Sequence, residues 1–246
     1  MALPTTGPLS LNQIHVEVDG TSGTICSLND PDIRSLLNPD KGANQANSIS
    51  EYRGASHTVT FTYELIGGGG GGGNGREDKG DGVNRGATGG SSSIAASGIS
   101  TITASGGQGG RAGMYVPNVN ENLRVGQASH YGNGGTAGAH LPGNAGRGGD
   151  APSTSYGAGG GGGGGDNRNN PYDQTGAGGE GGFASTRLTG TATVQSGTTV
   201  TITIGGGGAG RNVENPGGNG AGGFAKITAN GNVTNFPSSG SITLTG

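Results

Sequence analysis

Residues 58–73 read Thr58-Val59-Thr60-Phe61-Thr62-Tyr63-Glu64-Leu65-Ile66, followed without a break by seven glycines, Gly67–Gly73. The first nine residues alternate strictly. Val59, Phe61, Tyr63 and Leu65 share one face, and Thr58, Thr60, Thr62 and Glu64 share the other, which predicts a half-buried β-strand. The glycines that follow carry no side chain, so the fold turns on how a strand can run on into bare backbone. The same junction returns near the end of the chain, where Thr199-Val200-Thr201-Ile202-Thr203-Ile204 runs into Gly205–Gly208. Thr191–Val194 and Thr198–Ile204 flank Ser196-Gly197 and predict a hairpin. Phe224–Ala229 and Asn232–Phe236 flank Asn230-Gly231, the strongest short hairpin signal. Ser241–Thr245 predicts a closing strand through Ile242 and Leu244.

The chain holds 61 glycines in 246 residues, and only five of them precede residue 67. A glycine in a regular element costs roughly 0.5–1 kcal/mol relative to alanine. Over the whole glycine-rich region this reaches on the order of 30–50 kcal/mol, against a net stability of about 5–15 kcal/mol. Either the region does not fold, or its fold requires residues without side chains. The glycines are grouped into tracts: Gly67–Gly75, Gly106–Gly113, Gly132–Gly138, Gly143–Gly149, Gly157–Gly165, Gly176–Gly182, Gly205–Gly210 and Gly217–Gly223. Between them lie glycine-poor inserts richer in Arg, Asn, Asp, Tyr and His, namely Arg76–Arg85, Met114–Tyr131, Asp166–Thr175 and Arg211–Pro216. A flexible linker has no reason to alternate in this way or to be framed by threonine-rich strands.

Polyglycine can adopt the polyproline-II helix, with roughly three residues per turn and no internal hydrogen bonds, in which a seven-residue run spans about 22 Å. Its N–H and C=O groups point outward and need partners. Several such helices side by side satisfy one another if no side chain intervenes. Collagen is excluded because no strict Gly-X-Y period holds. The expectation is a bundle of packed polyglycine-II helices, with Gly67, Gly70, Gly73, Gly159, Gly162, Gly165, Gly205 and Gly208 in its frame.

Charged residues make up 12% of the chain and the net charge is −3, with basic residues spread thinly, so a nucleic-acid footprint is not expected. No run approaches the ~20 apolar residues of a membrane span. Met1-Ala2-Leu3-Pro4 lacks the basic start and apolar stretch of a signal peptide, so synthesis and assembly in a cytoplasm are expected. One cysteine, Cys26, excludes an internal disulfide framework, and with four scattered histidines gives no zinc spacing. No metal and no cofactor are expected. The G-x-G-x-x-G matches arise by chance at this glycine content and no helix follows them. There is no phosphate-loop Gly-Lys-Ser/Thr and no G-x-S-x-G elbow. Asp78-Lys79-Gly80-Asp81-Gly82 is a weak acidic cluster that could touch Ca²⁺, but a solvated loop is the favoured reading. With no catalytic constellation, an enzyme is not expected.

Residues 1–54 are of ordinary composition. Ser10 with Gln13 forms a capping box that starts one short helix. Asp30 as N-cap with Pro31 at the first helical position starts another, running through Leu37. A third turn begins at Ser48 or Ser50, before Glu51-Tyr52-Arg53. Three such turns bury too little to stand alone, so this segment is expected to fold against something else.

The series Gly7-Pro8-Leu9-Ser10-Leu11-Asn12, Ser27-Leu28-Asn29-Asp30-Pro31-Asp32-Ile33-Arg34 and Ile49-Ser50-Glu51-Tyr52-Arg53-Gly54-Ala55 resembles a segment recurring in virion and tail-fibre proteins of tailed bacteriophages. The strand-to-glycine junctions at Gly67 and Gly205, with Gly220-Ala221-Gly222-Gly223-Phe224, resemble the glycine-rich regions of tail-tip adhesins of the T-even type. That resemblance implies a mostly β and irregular fold in three parts. Residues 1–56 would be a virion or fibre attachment module with short helices. Residues 57–229 would be a polyglycine-II domain with variable receptor-binding loops, framed by antiparallel strands, and residues 230–246 closing strands. The N-terminal segment departs from the attachment domain of the T-even adhesin itself. The implied location is the virion, and the implied partners are a host surface receptor (protein or glycan) and a fibre or baseplate protein. Aromatic residues and arginine are enriched at binding hot spots. The residues in and beside the inserts expected to carry recognition are therefore Arg111, Tyr115, Arg124, His130, Tyr131, Arg168, Tyr172 and Arg211. Two other functions fit parts of the pattern: a neck, collar, baseplate or decoration protein without a receptor, and an ice-binding protein. The bulky charged inserts disfavour the second.

Overall fold

The computed structural model describes residues 2–37, 46–74, 85–111, 126–136, 148–162, 182–212 and 216–245. These residues form mostly antiparallel β-sheet with few helices, in line with the mostly-β expectation. Eight strands are present among them: β1 Thr58–Ile66, β2 Ser92–Ala95, β3 Ile102–Ala104, β4 Arg187–Gln195, β5 Thr198–Thr203, β6 Phe224–Ala229, β7 Asn232–Phe236 and β8 Gly240–Leu244. They build two four-stranded sheets, ordered β4-β1-β6-β7 and β3-β2-β5-β8. The alternation of β1 decides the packing. Val59, Phe61 and Leu65 join Ile94, Val200, Ile202, Ile227 and Leu244 in one core shared by both sheets. Thr60 stays on the opposite face, where its hydroxyl hydrogen-bonds that of Thr193 at 3.0 Å.

The predicted β6–β7 hairpin is present, with Asn230 at φ 48° and Gly231 at φ 76°, the two positive values that a type I′ turn requires. The hairpin expected across Ser196-Gly197 is not. β4 pairs with β1, whereas β5 pairs with β2 and β8, so the turn carries the chain from one sheet to the other. The cause lies in the partners. β1 offers β4 a nine-residue antiparallel match, from Thr58↔Gln195 to Ile66↔Arg187. The turn's own donors are taken elsewhere, Ser196 N–H by the His57 carbonyl and Gly197 N–H by that of Leu244.

The N-terminal segment has its own small core of Leu3, Ile14, Val18, Ile33, Leu37 and Tyr52. Its helix α1, Leu11–Glu17, carries the reciprocal Ser10–Gln13 capping box. Helix α2, Pro31–Arg34, ends earlier than the sequence suggests. Asp30 sits at its N-cap, but the carboxylate accepts the N–H of Ser27 at 2.7 Å and makes no capping bond. A 3₁₀ turn, Ile49–Tyr52, is capped by Ser48 and Glu51. The segment meets the sandwich at the β4–β5 turn. There the Ser196 hydroxyl donates to both carboxylate oxygens of Asp19, at 2.9 and 2.7 Å. The carboxylate of Glu17 accepts the N–H of His57 at 3.1 Å.

Beyond β1 the chain runs on through residues 67–74, and its backbone is hydrogen-bonded on all sides. Gly68 and Gly71 donate to Gly90 and Ala87, Gly69 and Gly72 to Ala221 and Gly218, and Gly67 and Gly70 to Thr186 and Phe183, at 2.8 to 3.2 Å. The same glycines accept from three further segments: Gly107 and Gly110 donate to Gly68 and Gly71, Gly208 and Arg211 to Gly69 and Gly72, and Gly160 to Gly70, at 2.7 to 3.1 Å. Partners thus recur every third residue, and the tract has six neighbours. A Cβ built on any of Gly67–Gly73 would fall on a backbone carbonyl of a neighbour, inside the 3.0 Å that real Cβ contacts essentially never breach. Ala158 and Ala221, also in the tracts, are accommodated and buried.

Candidate functional site

The hydrogen-bond register orders the tracts by distance from the sandwich. Segments joined directly to strands lie nearest: 67 after β1, 90 before β2, 105 after β3, 186 before β4, 205 after β5 and 223 before β6. Moving away, Gly71 pairs with Ala87 and Gly110, and Gly72 with Gly218 and Arg211. Gly161 and Gly149 belong to the same outer level, since Gly218 donates to Gly161, Gly161 to Gly149, and Gly149 to Thr136. The described segments break off at this far end after residues 74, 111, 136, 162 and 212. The N-terminal segment is attached at the opposite end, beside the β4–β5 turn.

Two of the expected recognition residues stand at the far end. Arg111 lies against Gly73, and the backbone N–H of Arg211 donates to Gly72 at 3.1 Å; both residues are exposed. His130 and Tyr131 lie elsewhere, close to the sandwich. Tyr115, Arg124, Arg168, Tyr172 and the frame glycine Gly165 are outside the described residues, as is the Asp78–Gly82 cluster. The remaining frame glycines, Gly67, Gly70, Gly73, Gly159, Gly162, Gly205 and Gly208, are within them.

His130 and Tyr131 form a tight turn closed by the backbone pair Ser129–Gly132, with Ser129 N–H donating to Gly132 at 2.9 Å. The turn rests on the outer face of the β4-β1-β6-β7 sheet, on the side away from the core. There the Tyr131 hydroxyl donates to Glu64 Oε2 at 3.0 Å. Arg187 Nε donates to Glu64 Oε1 at 2.6 Å, and Lys226 Nζ lies 3.2 Å from Oε2. Glu64 thus joins β1, β4, β6 and the 129–132 turn while only 6% of its side chain is exposed. Burial by itself would raise the Glu64 carboxyl. The hydrogen bonds from Arg187, Lys226 and Tyr131 outweigh it and hold the group below its ordinary value. Burial, and then the adjacent carboxylate, push the Tyr131 hydroxyl above its ordinary value.

Rings gather beside this carboxylate. Tyr156 stacks on Phe224 with centroids 4.7 Å apart and planes at 18°. Tyr131 meets Tyr156 edge-on at 5.6 Å and Phe224 at 5.2 Å, and His130 meets Tyr131 edge-on at 5.4 Å. Phe224 is buried, the two tyrosines are half-buried and His130 is exposed. Glu64, Arg187, Lys226 and Tyr156 are missing from the sequence-based set. Glu64 reads there as one more solvent-facing residue of an alternating strand, and nothing within 60 residues of it announces the Tyr131 that covers it.

Among the described residues no group of three or more His, Cys, Asp or Glu is placed to hold a metal ion. No helix among them is long and apolar enough to cross a membrane. Comparison of the chain with protein-family models, curated proteins and solved structures found no match.

Proposed function

We propose that the chain is a bacteriophage tail-fibre tip adhesin, which binds a host surface receptor through inserts displayed on a polyglycine-II scaffold. The observation that carries this reading is the polarity of the molecule. Described segments end at residues 74, 111, 162 and 212 on the side of the tracts away from the sandwich, each shortly ahead of or within a glycine-poor insert in the sequence, and the N-terminal segment sits at the other end. A binding tip needs this division, with an attachment end and a recognition end separated by a rigid body.

The polyglycine-II assignment is supported by the three-residue recurrence of hydrogen-bond partners and by the six neighbours of Gly67–Gly73. Three residues per turn sends successive N–H groups in three directions, so each neighbour is met once per turn. An isolated coil or a β-sheet extension does not give this pattern, because a strand pairs in two directions only.

The test replaces residues 114–125 by an unrelated sequence of equal length, leaving every tract glycine in place. The exchanged protein is expected to keep its unfolding midpoint and to change or lose its adsorption to host cells. Exchanges in 76–84, 114–125 and 166–175 that all leave adsorption unaltered would overturn the reading. Immunogold labelling of virions is expected to place the protein at the fibre tip; labelling at the neck or collar would favour a structural component without a receptor.

A further inference from the structure

We propose that the outer face of the β4-β1-β6-β7 sheet, where the 129–132 turn rises from it, is a binding site for an acidic saccharide, distinct from the insert-bearing end. It rests on the host-surface reading for its biological purpose, and its chemistry follows from the groups gathered at the step itself. The floor of the step is set by register. Thr189, Glu64 and Lys226 lie side by side across three strands, with Arg187 two residues away on β4. These side chains point outward, and Thr189 is exposed. The wall is aromatic, built from His130, Tyr131 and Tyr156.

Two cations share one carboxylate here, so the step carries an excess positive charge. The side chains of Arg187 and Lys226 each remain 41% exposed, although each holds Glu64. Arg187 spends its Nε on Glu64, which leaves the outer nitrogens of a planar fork suited to a carboxylate. Lys226 retains N–H donors beyond the one directed at Glu64. A pyranose ring has a C–H face that packs on an aromatic wall and hydroxyls that match a threonine floor. A uronic or ulosonic acid adds the carboxylate that the two cations recognise.

The experiment titrates the full-length protein with tetragalacturonic acid and, separately, with the neutral maltotetraose, by calorimetry at low and at high salt. Saturable binding of the acidic probe alone is expected, and weakening as salt rises. Thr189→Glu places a negative charge on the exposed floor beside Glu64, where it competes for Arg187 and repels an acidic ligand, and is expected to weaken acidic-probe binding by at least roughly tenfold. Thr189→Lys is expected to retain it. His130→Ala, on the exposed rim, is expected to weaken binding by about threefold to tenfold. Unchanged melting profiles confirm that each variant folds. No binding of the acidic probe up to about 10 mM, equal binding of the neutral probe, or binding indifferent to both Thr189→Glu and His130→Ala overturns the proposal. Host-cell adsorption separates the two readings. Adsorption that persists when the step fails in titration removes this site alone, whereas a wild-type protein that binds the probe but no host cell removes the adhesin reading.

Discussion

Gly70 sits midway along the central tract, and substituting it by alanine isolates the requirement for bare backbone. Its N–H donates to Phe183 and its carbonyl accepts from Gly160, both at 2.9 Å. A Cβ added there would land on the Gln108 carbonyl, with the carbonyl carbon at 2.5 Å. Reaching an ordinary contact requires the tracts to part by roughly 1 Å, enough to spoil hydrogen bonds whose donors and acceptors lie in a narrow distance range. Overpacking costs about 1–3 kcal/mol and each buried backbone group left unpaired about 1–3 kcal/mol. Against this stands a gain of about 0.4–1 kcal/mol from a stiffer unfolded chain. With one backbone group left unpaired, the expected net loss for Gly70→Ala is about 1–5 kcal/mol, a large share of a typical domain's stability. Gly206 is the control. It has nothing within 4 Å of an added Cβ, so Gly206→Ala is expected to be neutral or to stabilise by up to about 1 kcal/mol. Denaturant unfolding of both variants reads the difference. A Gly70→Ala protein within about 0.5 kcal/mol of wild type would refute the reasoning, because the tract would then tolerate a side chain at its centre.

Three further outcomes are expected. Glu64→Gln removes the charge shared by Arg187, Lys226 and Tyr131, and should cost about 1–3 kcal/mol at neutral pH. Because the folded Glu64 carboxyl lies below its ordinary value, its contribution is present above the unfolded pKa of about 4.3 and is lost as pH falls through the folded value. The gap in melting temperature between wild type and Glu64→Gln should therefore close in acid, and a gap constant from neutral pH to strong acid would contradict the network. Ser196→Ala deletes the hydroxyl that donates to Asp19, and should loosen the N-terminal segment by about 1–2 kcal/mol. Faster limited proteolysis near residues 53–57, with the main unfolding transition little changed, is the expected readout. Gly231→Ala forces a side chain into φ 76° with no neighbour within 4 Å, so strain alone should cost about 1–2 kcal/mol in equilibrium unfolding, no more than the loss at Gly70.

Much of the β framework is written locally. β1 is legible because one face is buried in a shared core and the other is hydroxylated, and the Asn230-Gly231 turn because only a few residues accept two successive positive φ values. The capping box at Ser10 follows from a three-residue spacing. What sequence reading misses depends on distant partners. β2 and β3 have four and three residues, and their Ser- and Thr-rich sequences become strands through pairing with β5 and with each other. The β4–β5 connection looks like a hairpin until β1 is seen to offer β4 a longer match. Tyr131 has the residue type of a binding hot spot, yet its hydroxyl is committed to Glu64, 67 positions earlier in the chain. No local pattern encodes such a contact.

The six-neighbour arrangement around Gly67–Gly73 also bears on how such a chain can change over generations. The described tract segments are fixed by hydrogen bonds to one another, so their end positions are set by the tracts and not by the stretches that bridge them. Closing a longer bridge between two fixed points costs only about 0.6 kcal/mol for each doubling of its length. A glycine replaced within the central tract costs several times more, through overlap with a neighbour's carbonyl and lost backbone hydrogen bonds. Insertions and deletions between tracts are therefore nearly neutral for folding, while point changes within the central tract are purged. The molecule separates the residues that must not vary from those free to vary, and it does so with a single residue type.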